Sequence, residues 1–195
     1  GVAGGRVSRA NDDIIEALEV LKLSKVNLIG WSLGGGVCLK IAAKRPDLVE
    51  TMSLIQSASY RGFPIFEKDA KFRDIPGHIY ASKSLLALDP VLVVPLLQAY
   101  AQKDRAFLDW MKQVSTWSKN RPAQNICDDY TDEQLKQRCL VDADWSLANL
   151  NMSNFSNLYN LGTNDIKNIK CRVFMTFATG DTLVTEEMTR ENISA

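Results

Sequence analysis

The sequence is poor in most of the features that announce a particular chemistry. It holds a single histidine, His78, in 195 residues, so a multi-histidine metal cage has no donors to draw on. Its four cysteines, Cys38, Cys127, Cys139 and Cys171, fall far apart with no Cys-x-x-Cys pair, which fits reduced thiols in a cytoplasmic protein rather than a disulfide or zinc framework. Neither sign of charge is in excess: 23 Lys and Arg balance 23 Asp and Glu, leaving no basic footprint for nucleic acid or an anionic membrane. No apolar run approaches the roughly 20 residues that a spanning helix needs. The opening GVAGGRVSRANDD also lacks the apolar stretch of a signal peptide. Three Asn-x-Ser triplets, at Asn151, Asn154 and Asn192, would carry glycans only on a secretory route and read as coincidence in a chain rich in Asn and Ser. The composition leaves the oligomeric state open.

What is present fits a folded α/β chain. Apolar residues make up 46% of the sequence, enough for a core at this length. From Ser8 to Leu23, Ile14, Ile15, Leu18 and Leu21 share one face, with Ser8 placed to cap and Asp12 and Asp13 near the positive end; this predicts an amphipathic helix. Lys25 to Gly30 reads as a short strand, and Leu33 to Lys44 as a helix that Arg45-Pro46 ends. Further strands are predicted near Glu50 to Ser57 and Cys171 to Ala178. Strands separated by helices require right-handed crossovers, hence a mainly parallel sheet.

Between those last two strands the text changes to short helical pieces rich in aromatics. Asp89-Pro90 predicts a helix through Tyr100, Asp104 one through about Trp117, the capping box Thr131-Asp-Glu-Gln134 a third, and Asp142 or Asp144 a fourth toward Asn151. An insertion this long is read as a helical subdomain rather than a loop. The expected organisation is a core over residues 1–58, a helical cap over 59–165 and a return to the core over 166–195.

Gly30-Trp31-Ser32-Leu33-Gly34 falls where the first predicted strand ends and a helix begins. A turn of this kind holds its serine in a strained backbone conformation and presents the hydroxyl at the carboxyl end of the sheet. Glycines two residues to either side are expected to prevent collisions as strand and helix close together. The Leu33 amide, at a helix N-terminus, points at the same spot and can hold an oxyanion. A bare Gly-x-Ser-x-Gly arises by chance in about one chain of this length in twenty; the strand before it and the helix after it make it specific.

Taken together, SRANDDIIEALEVLKLSKVNLIGWSLGGG, AAKRPDLVETMSLI and IKNIKCRVFMTFATGDTLVTEEM resemble the α/β-hydrolase superfamily, in particular capped serine hydrolases akin to enol-lactonases, arylesterases and cofactor-free haloperoxidases. The resemblance implies a partial α/β-hydrolase fold, with a mainly parallel sheet flanked by helices and a helical cap inserted. It implies a small-molecule acyl substrate, an acyl-enzyme on Ser32, and neither metal nor organic cofactor. The acid of the triad is placed at Asp181, in the turn Ala178-Thr179-Gly180-Asp181, where it would fix a histidine tautomer and stabilise the imidazolium. The histidine itself is expected beyond the acid, and a second oxyanion donor before the elbow strand; with neither in these 195 residues, the chain is expected to be a fragment and inactive alone. His78 precedes the acid in a turn-like Pro76-Gly77-His78 context and is read as a cap or pocket residue. Trp31, Phe63, Trp110, Trp117 and Trp145 are the candidates to line an acyl pocket. Two other readings stand beside the esterase: a non-catalytic ligand-binding or scaffold member, and a carbon–carbon hydrolase using the same triad.

Overall fold

The computed structural model describes residues 6–195, with side chains from Ala10 onward. In chain order the elements are α1 (Arg6–Val20), β1 (Val26–Ser32), α2 (Leu33–Lys44), β2 (Val49–Ser57), β3 (Phe66–Lys68), β4 (Asp74–Ile79), α3 (Lys83–Leu86), α4 (Val94–Gln102), α5 (Arg105–Ser115), α6 (Gln124–Gln134), α7 (Leu140–Ala148), β5 (Arg172–Thr176) and α8 (Glu186–Ser194). A short 3-10 turn at Asp165–Asn168 leads into β5. The chain divides into two compact units, one formed by the residues up to Ile65 and from Asp142 to Ala195, the other by Phe66 to Val141. The predicted cap over 59–165 is wider than this second unit. Residues 59–65 and 142–165 belong with the sheet, where Leu150 and Met152 enter the core and the Tyr159 hydroxyl donates to the Ile65 carbonyl at 2.5 Å.

The first unit is built on a parallel sheet in the order β1-β2-β5. Period-two alternation along β2 sends Met52 and Leu54 to one face, where both are buried. Leu28 and Val173 flank Met52 there, and Gly30 and Met175 flank Leu54. Helix α2 packs on this face through residues that include Leu39 and Ile41, and is in turn covered by α1 and the Asp165–Asn168 turn. Full burial of one such side chain contributes roughly 1.5–3 kcal/mol, so this layer dominates the unit's stability. The opposite face of the sheet carries less cover among the described residues: Ile29 and Phe174, in one row across the half-buried Ser53, are 77% and 62% exposed.

Helix α1 begins at Arg6, so Ser8 lies within its first turn instead of capping it, and the Ser8 side chain falls outside the described residues. Of the predicted apolar face, Ile15 is buried and Leu18 half-buried, while Ile14 and Leu21 remain exposed. The asparagine-rich stretch after α7 has no regular structure, and its amide side chains take over the pairing that a ladder would supply. Asn151 Nδ2 donates to the Phe155 carbonyl at 2.8 Å, Asn157 Nδ2 to those of Arg61 at 2.7 Å and Leu150 at 3.1 Å, and Asn160 Nδ2 to that of Asn149 at 2.7 Å.

In the second unit, β3 and β4 form an antiparallel hairpin that the sequence reading does not predict. Its turn is organised by Asp69, whose Oδ1 accepts from the amides of Lys71 at 2.7 Å and Arg73 at 3.0 Å. His78 consequently sits in strand β4, not in a turn. Asp104 caps α5 as expected, accepting from the Phe107 amide at 3.0 Å. The proposed capping box at Thr131 is incorrect: helix α6 already runs from Gln124, and the Thr131 hydroxyl donates back to the Cys127 carbonyl at 2.9 Å, one turn earlier. Among the described residues no helix is long and apolar enough to cross a membrane.

Candidate active site

Ser32 is the last residue of β1 and stands immediately before α2. Its backbone adopts φ 52° and ψ −122°, a conformation that a side-chain-bearing residue avoids unless its surroundings force it. A serine before a helix ordinarily turns its oxygen inward to accept from the first-turn amides. Ser32 makes no such bond, and its hydroxyl has no hydrogen-bond partner among the described residues. The Oγ is therefore free for chemistry at the carboxyl end of the sheet. The first amides of α2, from Leu33 onward, lack intrahelical acceptors and lie at the positive end of a twelve-residue helix.

The glycines around the serine divide by crowding. A Cβ at Gly30 would fall 2.5 Å from the Gly34 carbonyl oxygen and 2.8 Å from Cys38 Sγ, so β1 and α2 close together only over a bare backbone here. Gly34, in contrast, has nothing within 4 Å of a notional Cβ. The second collision belongs to Gly35, where a Cβ would fall 2.0 Å from Ser57 Oγ on β2. The expectation of symmetric clashes at Gly30 and Gly34 is thus corrected by one residue on the helical side. Burial beneath the turn pushes the Cys38 thiol up to about 11, which keeps it protonated and unreactive.

Asp181 follows β5, the strand on the far side of β2 from β1, so Ser32 and Asp181 are carried by strands two spacings apart, roughly 10 Å. Its Oδ1 accepts from the amides of Leu183 and Val184, both at 2.9 Å, and its own amide donates to the Ala178 carbonyl at 3.1 Å. One carboxylate oxygen is spent on fixing the loop. The other has no partner among the described residues, which is what an acid that orients a neighbouring imidazole requires.

The other predicted residues are more scattered. Trp31 projects from the less covered face of the sheet, in the row of Ile55 and Thr176, and is 61% exposed. Phe63 is half-buried with its amide bonded to the Leu147 carbonyl, and Trp145 meets Tyr159 edge-on at 5.7 Å. Trp110 and Trp117 belong to the second unit, where they pair with Phe107 at 5.8 Å and Tyr130 at 5.7 Å. A cavity of about 390 Å³ in the first unit is lined by residues that include Arg61, Pro64, Asn157, Leu158, Thr185 and Met188; none of the five predicted aromatics lines it. Sequence reasoning missed Gln56. This residue adopts φ 40° in a bulge that shifts the β1 and β2 register between the pairs Trp31 with Ile55 and Ser32 with Ser57, directly beside the serine. No sequence signal marks it, because a non-glycine residue in this conformation carries no compositional trace.

Residues 5–191 match the family model described as the alpha/beta hydrolase fold. The chain belongs to the α/β-hydrolase family. Among solved structures it is similar to the enol-lactonase from Burkholderia xenovorans LB400, with a TM-score of 0.61 and 16% identity over 96% of this chain and 60% of that one. It is also similar to a hydrolase from Pseudomonas aeruginosa, with a TM-score of 0.59 and 14% identity over 96% of this chain and 59% of that one. At such identities the likeness shows the fold. A provisionally named esterase/lipase of Haemophilus influenzae is 44% identical over 54 residues, which are 27% of this chain and 19% of that protein. This α/β hydrolase therefore spans about three fifths of the length of the two solved relatives and a smaller part of the esterase/lipase.

Proposed function

We propose that this α/β hydrolase supplies the nucleophile and the acid of a serine hydrolase acting on an ester, lactone or related acyl substrate. The observation that carries the reading is the conformation of Ser32, φ 52° and ψ −122° at a strand-to-helix joint, with a hydroxyl that caps nothing. In this reading Oγ attacks the acyl carbon as its proton passes to a general base, and the Leu33 amide receives the charge that develops on the acyl oxygen. The leaving alcohol takes the proton back, and water then hydrolyses the acyl-enzyme by the same steps. Asp181 orients the base through its unengaged oxygen. The general base and a second oxyanion donor have no assigned residue: His78, the one histidine of the sequence, lies on β4 and precedes the acid in chain order. Turnover of a p-nitrophenyl ester by the 195-residue chain alone is accordingly not expected. The fold and the partial match to an esterase/lipase support the hydrolase class, and the bare elbow supports the serine mechanism.

The test is labelling by a fluorophosphonate of the protein as it is naturally expressed. An adduct on Ser32, abolished by Ser32→Ala, is the expected result. A folded protein that takes no adduct would overturn the reading and favour a non-catalytic ligand-binding member of the family.

A further inference from the structure

Asn192 lies on α8 and is 6% exposed. Its Nδ2 donates to the Ala58 carbonyl at 3.1 Å, and its Oδ1 accepts from the Tyr60 amide at 2.7 Å. The Ala58 amide in turn donates to the Ser32 carbonyl at 3.2 Å. The segment leaving β2 is thus gripped from two sides, by the strained serine and by the helix that begins five residues beyond Asp181.

A residue held at φ 52° persists only where its surroundings over-determine it. The Ala58 amide is one of those restraints, yet it comes two residues after the Gln56 bulge, beyond the end of β2 and of the ladder that could fix it. What fixes Ala58 besides the Ser57 hydroxyl, which donates to its carbonyl at 2.9 Å, is the carboxamide of Asn192. Both ends of that carboxamide are used, and both contacts are to backbone. Such a pair is rigid and independent of neighbouring rotamers.

We propose that Asn192 is a positioning residue: by holding the Ala58 carbonyl and the Tyr60 amide it fixes the backbone at Ala58, whose amide donates to the Ser32 carbonyl, and so sets the nucleophile relative to the segment that carries Asp181. This rests on the nucleophile reading given above and adds a residue that no motif signals. In the sequence Asn192 heads an Asn-Ile-Ser triplet, but a buried, doubly engaged carboxamide leaves no room for a glycan in the folded protein.

The experiment measures saturable labelling of Ser32 by a fluorophosphonate in the protein as it is naturally expressed, together with melting temperature. The variants are Asn192→Asp, Asn192→Ala and Asn157→Ala. Aspartate keeps the acceptor for the Tyr60 amide and loses the donor to Ala58; alanine loses both. Asn157 staples backbone in the same unit, at Arg61 and Leu150, without touching Ala58 or Ser32, and so controls for lost stability. Small misplacements of a reacting group cost on the order of 10- to 100-fold in rate. The maximal labelling rate is therefore expected to fall about tenfold or more in Asn192→Asp. The half-saturating probe concentration should stay unchanged, and Asn157→Ala should keep the wild-type rate at a comparable loss of melting temperature. Should Asn192→Asp not fold, Asn192→Gln, which sets the same two groups on a longer arm, carries the same expectation. Unchanged labelling in the Asn192 variants, or an equal fall in Asn157→Ala, overturns the proposal. A folded wild type that takes no adduct overturns the nucleophile reading itself, and the proposal with it.

Discussion

Lys68 Nζ reaches Asp89 Oδ2 across 3.2 Å, with the two side chains only 5% and 0% exposed. The pair belongs to a larger network in the second unit. Asp89 Oδ1 accepts from the amides of Val91 at 2.7 Å and Leu92 at 2.6 Å, and its Oδ2 accepts from the Tyr80 hydroxyl at 2.9 Å. Lys68 also meets Asp74 at 2.6 Å and the Phe66 carbonyl at 2.8 Å. Strands β3 and β4 are thereby joined to the turn that leads into α4.

Asp89→Asn should destabilise the chain by about 3 kcal/mol, because removing one charge from a closed pair leaves the other undercompensated. Urea unfolding followed by circular dichroism checks the size of the loss.

The same carboxyl gives a signed pH dependence. Burial by itself would raise the Asp89 carboxyl, but the Leu92 and Val91 amides, the Tyr80 hydroxyl and Lys68 together hold it below the usual carboxylate range. A group depressed in the folded state contributes fully above its unfolded value of about 3.9 and loses that contribution as pH falls through the folded value. The stability gap between wild type and Asp89→Asn should therefore be constant above about pH 5 and shrink as the pH is lowered below about 4. Unfolding curves across that range would show a constant gap if the carboxyl were not depressed.

Three adjacent substitutions separate crowding from motif. Gly30→Ala and Gly35→Ala should each cost about 3 kcal/mol or prevent folding, since a methyl group has no space at either position. Gly34→Ala should be tolerated and stabilise α2 by about 0.5–1 kcal/mol, because its surroundings are open. Thermal melts of the three variants decide the matter.

Ser32→Gly should be more stable than Ser32→Ala by about 1 kcal/mol, although glycine ordinarily weakens a folded chain. The strain at φ 52° is relieved only when Cβ is removed. Equal melting temperatures would show that the serine is held there without cost.

Much of the sheet unit can be read directly from the residues. Helix α2 is bounded at Leu33 and Lys44 because Ser32 and Arg45-Pro46 mark its ends, and β2 is legible from its apolar alternation. The same rules fail in the second unit. Strand β3 has three residues, too few for a period, and Thr131-Asp-Glu-Gln134 copies a helix start at the end of a helix. In the proposed site, the motif is what points to Ser32 and the turn is what points to Asp181. Gln56, Ala58 and Asn192 act through backbone geometry formed only when distant segments meet, and local sequence holds no record of such meetings.

Gly35 and Ser57 compete for one volume, since a Cβ on the first would fall 2.0 Å from the Oγ and 2.4 Å from the Cβ of the second. Relatives carrying alanine at the position of Gly35 should have lost the side chain opposite it, leaving glycine at the position of Ser57. The two positions are expected to covary through evolution as a matched pair, while the position of Gly34, though written into the motif, is free to drift.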